Sequence, residues 1–212
     1  SSAASDVYKR QITNLINRFY EIQRGEILLD GVNIKEINIH DLRRKIGTIL
    51  QDPFIYARSI KENITLNEPI GDEEIEDAIK LASVEGFVNA LPKGMETIAS
   101  ERGSSYSTGQ KQLLAFARIF AHQPSIFILD EATANIDTHT EQLIQKSVDI
   151  ISKKKTSIFI AHRLSTIVNV DKIIVLDKGR IIEQGNHEEL LQNPKGYYTK
   201  LYTSYYNSLE TA

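Results

Sequence analysis

Hydrophobic positions along the chain change their period several times, and the changes divide it into elements. ITNLINRFY sets Ile12, Leu15, Ile16 and Phe19 at helical spacing and predicts a short amphipathic helix. GEILLDGVNI reads as a strand, an Asp30-Gly31 turn and a returning strand. KIGTIL predicts a short strand that stops at Gln51, with Asp52-Pro53 as the breaker. From about residue 57 to 90 the text is helical, most clearly in DEEIEDAIKLASVEGFVNAL, where apolar residues recur every three or four positions. LPKGMETIASERGSS is a loop rich in turn formers, and STGQKQLLAFARIFAH is a strong helix followed by Pro124. IFIL is a buried strand, TEQLIQKSVDIISKKK a helix, SIFIAH another buried strand, and KIIVLDKGRIIEQG a strand and hairpin. HEELLQ and GYYTKLYTSYY close the chain in helix.

Strands alternating with helices imply an α/β fold built on a parallel sheet covered on both faces. The run of consecutive helices in the interior implies an inserted helical subdomain. Bulk properties narrow the chemistry. The formal net charge of -3 and pI near 6.0 provide no basic field for nucleic acid. Cysteine is absent, which excludes a disulfide framework and thiolate metal sites. Apolar runs such as IFIL and IIVL fall far short of the roughly 18 residues that a membrane span requires.

In an open parallel sheet, ligands bind outside the carboxyl ends of the strands. Three apolar strands here end in polar groups: KIGTIL at Gln51, IFIL at Asp130-Glu131, and SIFIA at His162. If the three run parallel, an amide, two carboxylates and an imidazole converge on one edge. That set suits a magnesium ion and an activated water, and the cation would offset repulsion between the adjacent acids. Taken singly, each has a plain structural reading: a turn glutamine, a helix-starting acid pair and a loop histidine.

Residues 104 to 119, SSYSTGQKQLLAFARI, add a fourth element. Ser107 precedes a strong helix and Gln110 follows three residues later, the spacing of a capping box. The same geometry fits an anion: free N–H groups at a helix start, a hydroxyl, and Gly109 to admit a ligand. Both readings stand at this point.

These stretches together resemble the nucleotide-binding domain of ABC transporters, specifically the exporter type. ILQDPFIYARSIKENI resembles the Q-loop segment, with Gln51 at the glutamine. ERGSSYSTGQKQLLAFAR is similar to the X-loop and the signature motif, whose consensus is LSGGQ; Tyr106 and Thr108 depart from it. IFILDEATANID resembles the Walker B strand and D-loop, IAHRLSTI the switch-histidine segment, and GRIIEQGNHEEL the tail. The resemblance runs in the family's order from about Ile12 to the closing helix.

It implies a P-loop NTPase-like core, with ATP and Mg2+ as the cofactors. It also implies roles. Asp130 would hold magnesium, and Glu131 would polarise the attacking water as general base. Gln51 would touch metal and water and couple them to the transmembrane partner. His162 would contact the γ-phosphate. Ser107, Gly109 and Gln110 would act in trans on ATP held by a second subunit, and Asp137 would belong to the D-loop linking the two sites. Placement and charge stabilisation carry most of the catalysis in such transfers.

One departure from the family is severe. Where it carries Gly-x-x-x-x-Gly-Lys-Ser/Thr, this chain has ASDVYKRQ. Lys9 falls at the register of the lysine by coincidence, Arg10 replaces the magnesium-binding hydroxyl, and no glycine precedes them. Residues 1–11 therefore read as a non-native leader on a truncated frame that has lost the Walker A loop. The expected organisation is that leader, a partial ATPase core over 12–56, a helical subdomain over 57–119 ending in the signature motif, and an ATPase core over 120–212.

The leading expectation is an ATP-hydrolysing motor at the cytoplasmic face of the cell membrane. It would work as a homo- or heterodimer beneath a transmembrane domain, and this chain as written would be inactive alone. The alternative is a non-catalytic partner lending its signature face to an intact ATPase. Soluble ABC ATPases of DNA or ribosomes are disfavoured by the ERG loop and the acidic balance. Lys153-Lys154-Lys155 is expected as a solvated helix end, the tyrosine-rich tail as packing, and His187 as a helix start.

Overall fold

In the computed structural model, residues 2–130, 136–161 and 167–210 are described. They form two compact units, Leu29–Ile158 and Ser1–Leu28 with Phe159–Ala212.

The ribbon of β1 (Leu28–Leu29) and β2 (Val32–Asn33) is joined where Asp30 and Gly31 take φ of 51° and 81°. Positive φ at both central positions matches the right-handed twist of a hairpin, as the Asp-Gly pair implies. Helix α2 (Ile39–Lys45) leads directly into strand β3 (Ile46–Ile49). A helical stretch follows: α3 (Ile60–Thr65), α4 (Asp72–Leu81), α5 (Glu85–Asn89) and α6 (Thr108–His122). Left-handed Leu66, Asn67 and Ser83 break the run that the sequence pattern left continuous. Strand β4 (Ile126–Asp130), helix α7 (Thr138–Ser152) and strand β5 (Thr156–Ile160) complete the order β3-β4-β5.

Strands β3 and β4 pair in parallel, from Ile46↔Ile126 to Ile49↔Leu129. Helix α6 packs on β3, α3, α4 and α7 and supplies the centre of the core. Its Leu114 and Phe116 are fully buried, and the Phe116 ring lies 5.9 Å from that of Phe127 on β4. Strand β5 is less buried than its apolar text implies, for only Ile160 is fully covered.

The second unit contains α1 (Ser2–Ile16), the antiparallel hairpin β6 (Ile173–Asp177) and β7 (Arg180–Gly185), α8 (His187–Leu191) and α9 (Tyr197–Glu210). Ile173, Val175, Leu190 and Tyr198 form its core. Glu183 of β7 accepts the amide N–H groups of Tyr197 at 2.8 Å and Tyr198 at 2.9 Å, capping α9. His187 opens α8 and its Nδ1 meets the Tyr198 hydroxyl at 2.8 Å. The tail therefore packs through Tyr198, while Tyr197 is exposed.

Helix α1 corrects one expectation. It ends at Ile16, Arg18 turns left-handed, and Phe19 lies exposed beyond it. Thr13 and Asn17, rather than Ile12 and Phe19, are the buried positions. Asn17 folds its amide onto the Thr13 carbonyl at 2.9 Å, and Thr13 Oγ1 donates to the Arg10 carbonyl at 2.9 Å. These local bonds satisfy the polar groups and let that face turn inward. Among the described residues, no helix is long and apolar enough to cross a membrane.

Candidate functional site

Asp130 is the last residue of β4 and is 4% exposed. It stands one position past Leu129, the last residue paired with β3, while Gln51 stands two past Ile49 on that neighbour. Both therefore occupy the carboxyl edge of one parallel pair, Asp130 buried and Gln51 exposed. Glu131 and His162 lie outside the described residues.

The N-terminus of α6 forms the reciprocal box its sequence spells. Ser107 Oγ accepts the Gln110 amide N–H at 3.2 Å, and Gln110 Oε1 accepts the Ser107 N–H at 2.9 Å. Asp137 caps α7 by a single bond, accepting the Thr140 N–H at 2.9 Å. That bond holds the Asp137 carboxyl below its ordinary range. The two helix starts are close neighbours. A Cβ on buried Gly109 would collide with the Thr140 methyl and stand 3.3 Å from Ile136 Cγ2. The structure thus brings Ser107, Gly109, Gln110 and Asp137 together through a glycine contact that the spacing alone did not reveal.

Past Gln51 the chain lines an open groove of about 300 Å³ with Asp52, Pro53, Phe54, Arg102, Ser104 and Lys111. The ERG turn presses on this segment: a Cβ at Gly103, whose φ is 61°, would stand 2.9 Å from Cβ of buried Ile55. Phe54 and Tyr56 project into solvent as an edge-on pair with centroids 4.9 Å apart.

Sequence reasoning missed what holds this segment in place. Asn63 is 1% exposed; its Oδ1 accepts the Tyr56 N–H at 2.8 Å. Its Nδ2 donates to the carbonyls of Tyr56 (2.9 Å), Arg58 (3.3 Å) and Ser59 (3.0 Å). Arg118 Nε donates to the Asn63 carbonyl at 2.9 Å and its Nη2 to that of Phe54 at 3.3 Å. One turn on, His122 Nε2 meets the Ile64 carbonyl at 3.1 Å. Burial lowers the pKa of both Arg118 and His122. The i,i+4 spacing of Arg118 and His122 was the available signal, but nothing local says which carbonyls they serve.

A divalent ion and a nucleotide place different demands on these residues. Asp130 supplies a buried carboxylate oxygen at a strand end, the hard donor that magnesium takes. A polyphosphate needs a cradle of free N–H groups. Residues 2–16 are one continuous helix with Lys9 in its middle, and the first glycine of the chain is Gly25. Beyond its first turn a helix spends its N–H groups on its own carbonyls. Among the described residues, Asp130 offers magnesium one carboxylate without a cluster of three or more His, Asp or Glu around it, and α1 does not fit the phosphates.

The sequence profile of the ABC transporter family matches residues 9–134. The chain belongs to that family. A putative ABC transporter ATP-binding protein of Streptococcus pneumoniae is 51% identical over 195 residues, 92% of this chain and 33% of that protein. A probable multidrug resistance ABC transporter ATP-binding/permease protein of Bacillus subtilis is 47% identical, over 90% of this chain and 28% of its own length. Among solved structures, a bacterial Atm1-family ABC exporter with ATP bound aligns with a TM-score of 0.84 at 38% identity, covering 92% of this chain and 34% of that one. The chain thus spans about a third of the length of these ABC relatives.

Proposed function

We propose that this chain is the ATP-binding and hydrolysing part of an ABC exporter, working as a dimer at the cytoplasmic face beneath a transmembrane domain. The carrying observation is Asp130, a buried carboxylate ending a strand at the carboxyl edge of a parallel pair, within the matched family segment. The exporter relatives, several of them ATP-binding/permease proteins, support the same reading.

Asp130 and Gln51 would hold a magnesium ion, which would supply charge neutralisation for phosphoryl transfer. Glu131 draws a proton from the attacking water, and His162 steadies charge on the terminal phosphate. Ser107, Gly109 and Gln110 close over nucleotide bound by a second copy or a homologous subunit, and Asp137 orients that contact. The groove beside Phe54 and Tyr56 receives the transmembrane partner, since two exposed aromatic rings next to Gln51 are an anchor surface.

The 212 residues contain no Gly-x-x-x-x-Gly-Lys-Ser/Thr, and we infer that by themselves they turn over ATP negligibly. Magnesium-dependent ATP hydrolysis by an exporter carrying this segment behind an intact phosphate loop tests the reading. Asp130→Asn and Glu131→Gln should each abolish it. Unchanged turnover in both would refute the assignment.

The helix at residues 2–16 favours a second reading, in which the chain lends its signature face to an intact subunit without hydrolysing. Under it, Glu131→Gln in this chain leaves the turnover of the mixed dimer unchanged, whereas Ser107→Ala lowers it.

A further inference from the structure

From α6, Arg118 reaches both the Phe54 backbone and α3. Its guanidinium fork spans two chain segments, taking the carbonyls of Phe54 and Asn63 at 3.3 and 2.9 Å. Asn63 in turn pins both backbone groups of Tyr56, so the exposed aromatic pair has little freedom relative to α3. Near its C-terminus, α3 leaves the carbonyls of Asn63 and Ile64 to the side chains of Arg118 and His122. A cation and a ring N–H suit that end of a helix. From Arg118, α6 runs unbroken back to its cap at Ser107. Eleven residues of α-helix make a rod about 16 Å long. A competing tie, Lys111 to Asp52, is longer at 3.8 Å and ends on an exposed carboxylate. Such a pair transmits little.

We propose that Arg118 is a positioning residue that ties the exposed Phe54–Tyr56 segment to the helix capped by Ser107, so that displacement of the segment is felt at Ser107 and Gln110. The inference rests on the proposed function only for its meaning: it would carry the state of the partner-facing groove to the nucleotide-facing helix start. The fork is essential, because a lysine ammonium is a point donor on a flexible stem and cannot hold two carbonyls in fixed geometry.

The test is a double-mutant cycle on this chain, read by hydrogen exchange at the amides of Gln110 and Lys111, which Ser107 holds. Tyr56→Ala removes the ring pair and loosens the segment. In the native background it should speed exchange at those two amides about threefold, in keeping with coupling between sites of one network. In Arg118→Gln and Arg118→Lys backgrounds the same change should add nothing. An arginine that merely stabilised the fold would raise the baseline yet leave the increment intact. Circular dichroism checks that each variant is folded, and Arg118→Lys, which keeps charge and stem, carries the cycle if Arg118→Gln does not fold. Equal increments in native and Arg118→Lys backgrounds, or no response to Tyr56→Ala in the native one, overturn the proposal. No nucleotide enters the experiment, so its failure is separate from a failure of the exporter to hydrolyse ATP.

Discussion

Gly109 and Thr140 share one space: the bare Cα of the glycine faces the threonine methyl with no room for a Cβ between α6 and α7. This contact sets the two capped helix starts side by side. Gly109→Ala should destabilise the fold by about 1–3 kcal/mol through overpacking, less up to about 1 kcal/mol returned by the better helix propensity of alanine. Urea denaturation reads the loss. Adding Thr140→Ser, which removes the offending methyl, should recover most of it; no recovery would place the strain elsewhere.

Asn63 ties together the segment after Gln51 with four hydrogen bonds from one buried amide. Asn63→Ala should cost about 2–4 kcal/mol, since orphaned buried backbone groups cost about 1–3 kcal/mol each and not all reach water. Asn63→Asp should be worse, because a carboxylate would face the carbonyls of Tyr56, Arg58 and Ser59. A thermal midpoint that ranks Asp above Ala would contradict this account.

His122 sets a pH dependence. Burial, its largest influence, lowers its pKa in the folded chain below the ordinary value of about 6.5. Below that pH the unfolded chain binds the proton more readily, so stability falls as pH falls from about 6.5 toward the depressed folded value, and levels off beneath it. Denaturation at a series of pH values should show this slope. His122→Gln should flatten it, and an unchanged slope would assign the effect to another group.

Glu183 carries the cap of α9, with its two carboxylate oxygens on two successive amides. Glu183→Gln keeps one acceptor and loses the charge that favours a helix N-terminus. Exchange at the Tyr197 and Tyr198 amides should accelerate while amides in the Leu29–Ile158 unit keep their rates. Uniform acceleration across the chain would point to global destabilisation instead.

Much of the candidate site was legible because its signals are local. The Ser107–Gln110 spacing is a capping box in sequence and in structure, since cap and acceptor lie within one helical turn. Asp130 and Gln51 were readable as strand ends, and the parallel pairing of β3 with β4 put them on one edge. Ile12 and Phe19 misled, because helical spacing marks a face without saying whether that face meets the core; Thr13 and Asn17 took the inner side by satisfying their own polar groups.

The sequence by itself determined the order of strands and helices, the caps that start them, the family to which the chain belongs, and the lack of a glycine cradle among its residues. Those properties depend on neighbours a few positions apart, where backbone geometry fixes who meets whom. Tertiary structure alone decided that Arg118 grips carbonyls 55 and 64 residues away. It also decided that Gly109 yields its space to Thr140 and that Glu183 caps a helix beyond its own hairpin. Such contacts arise when packed elements meet, and no local pattern encodes the partner.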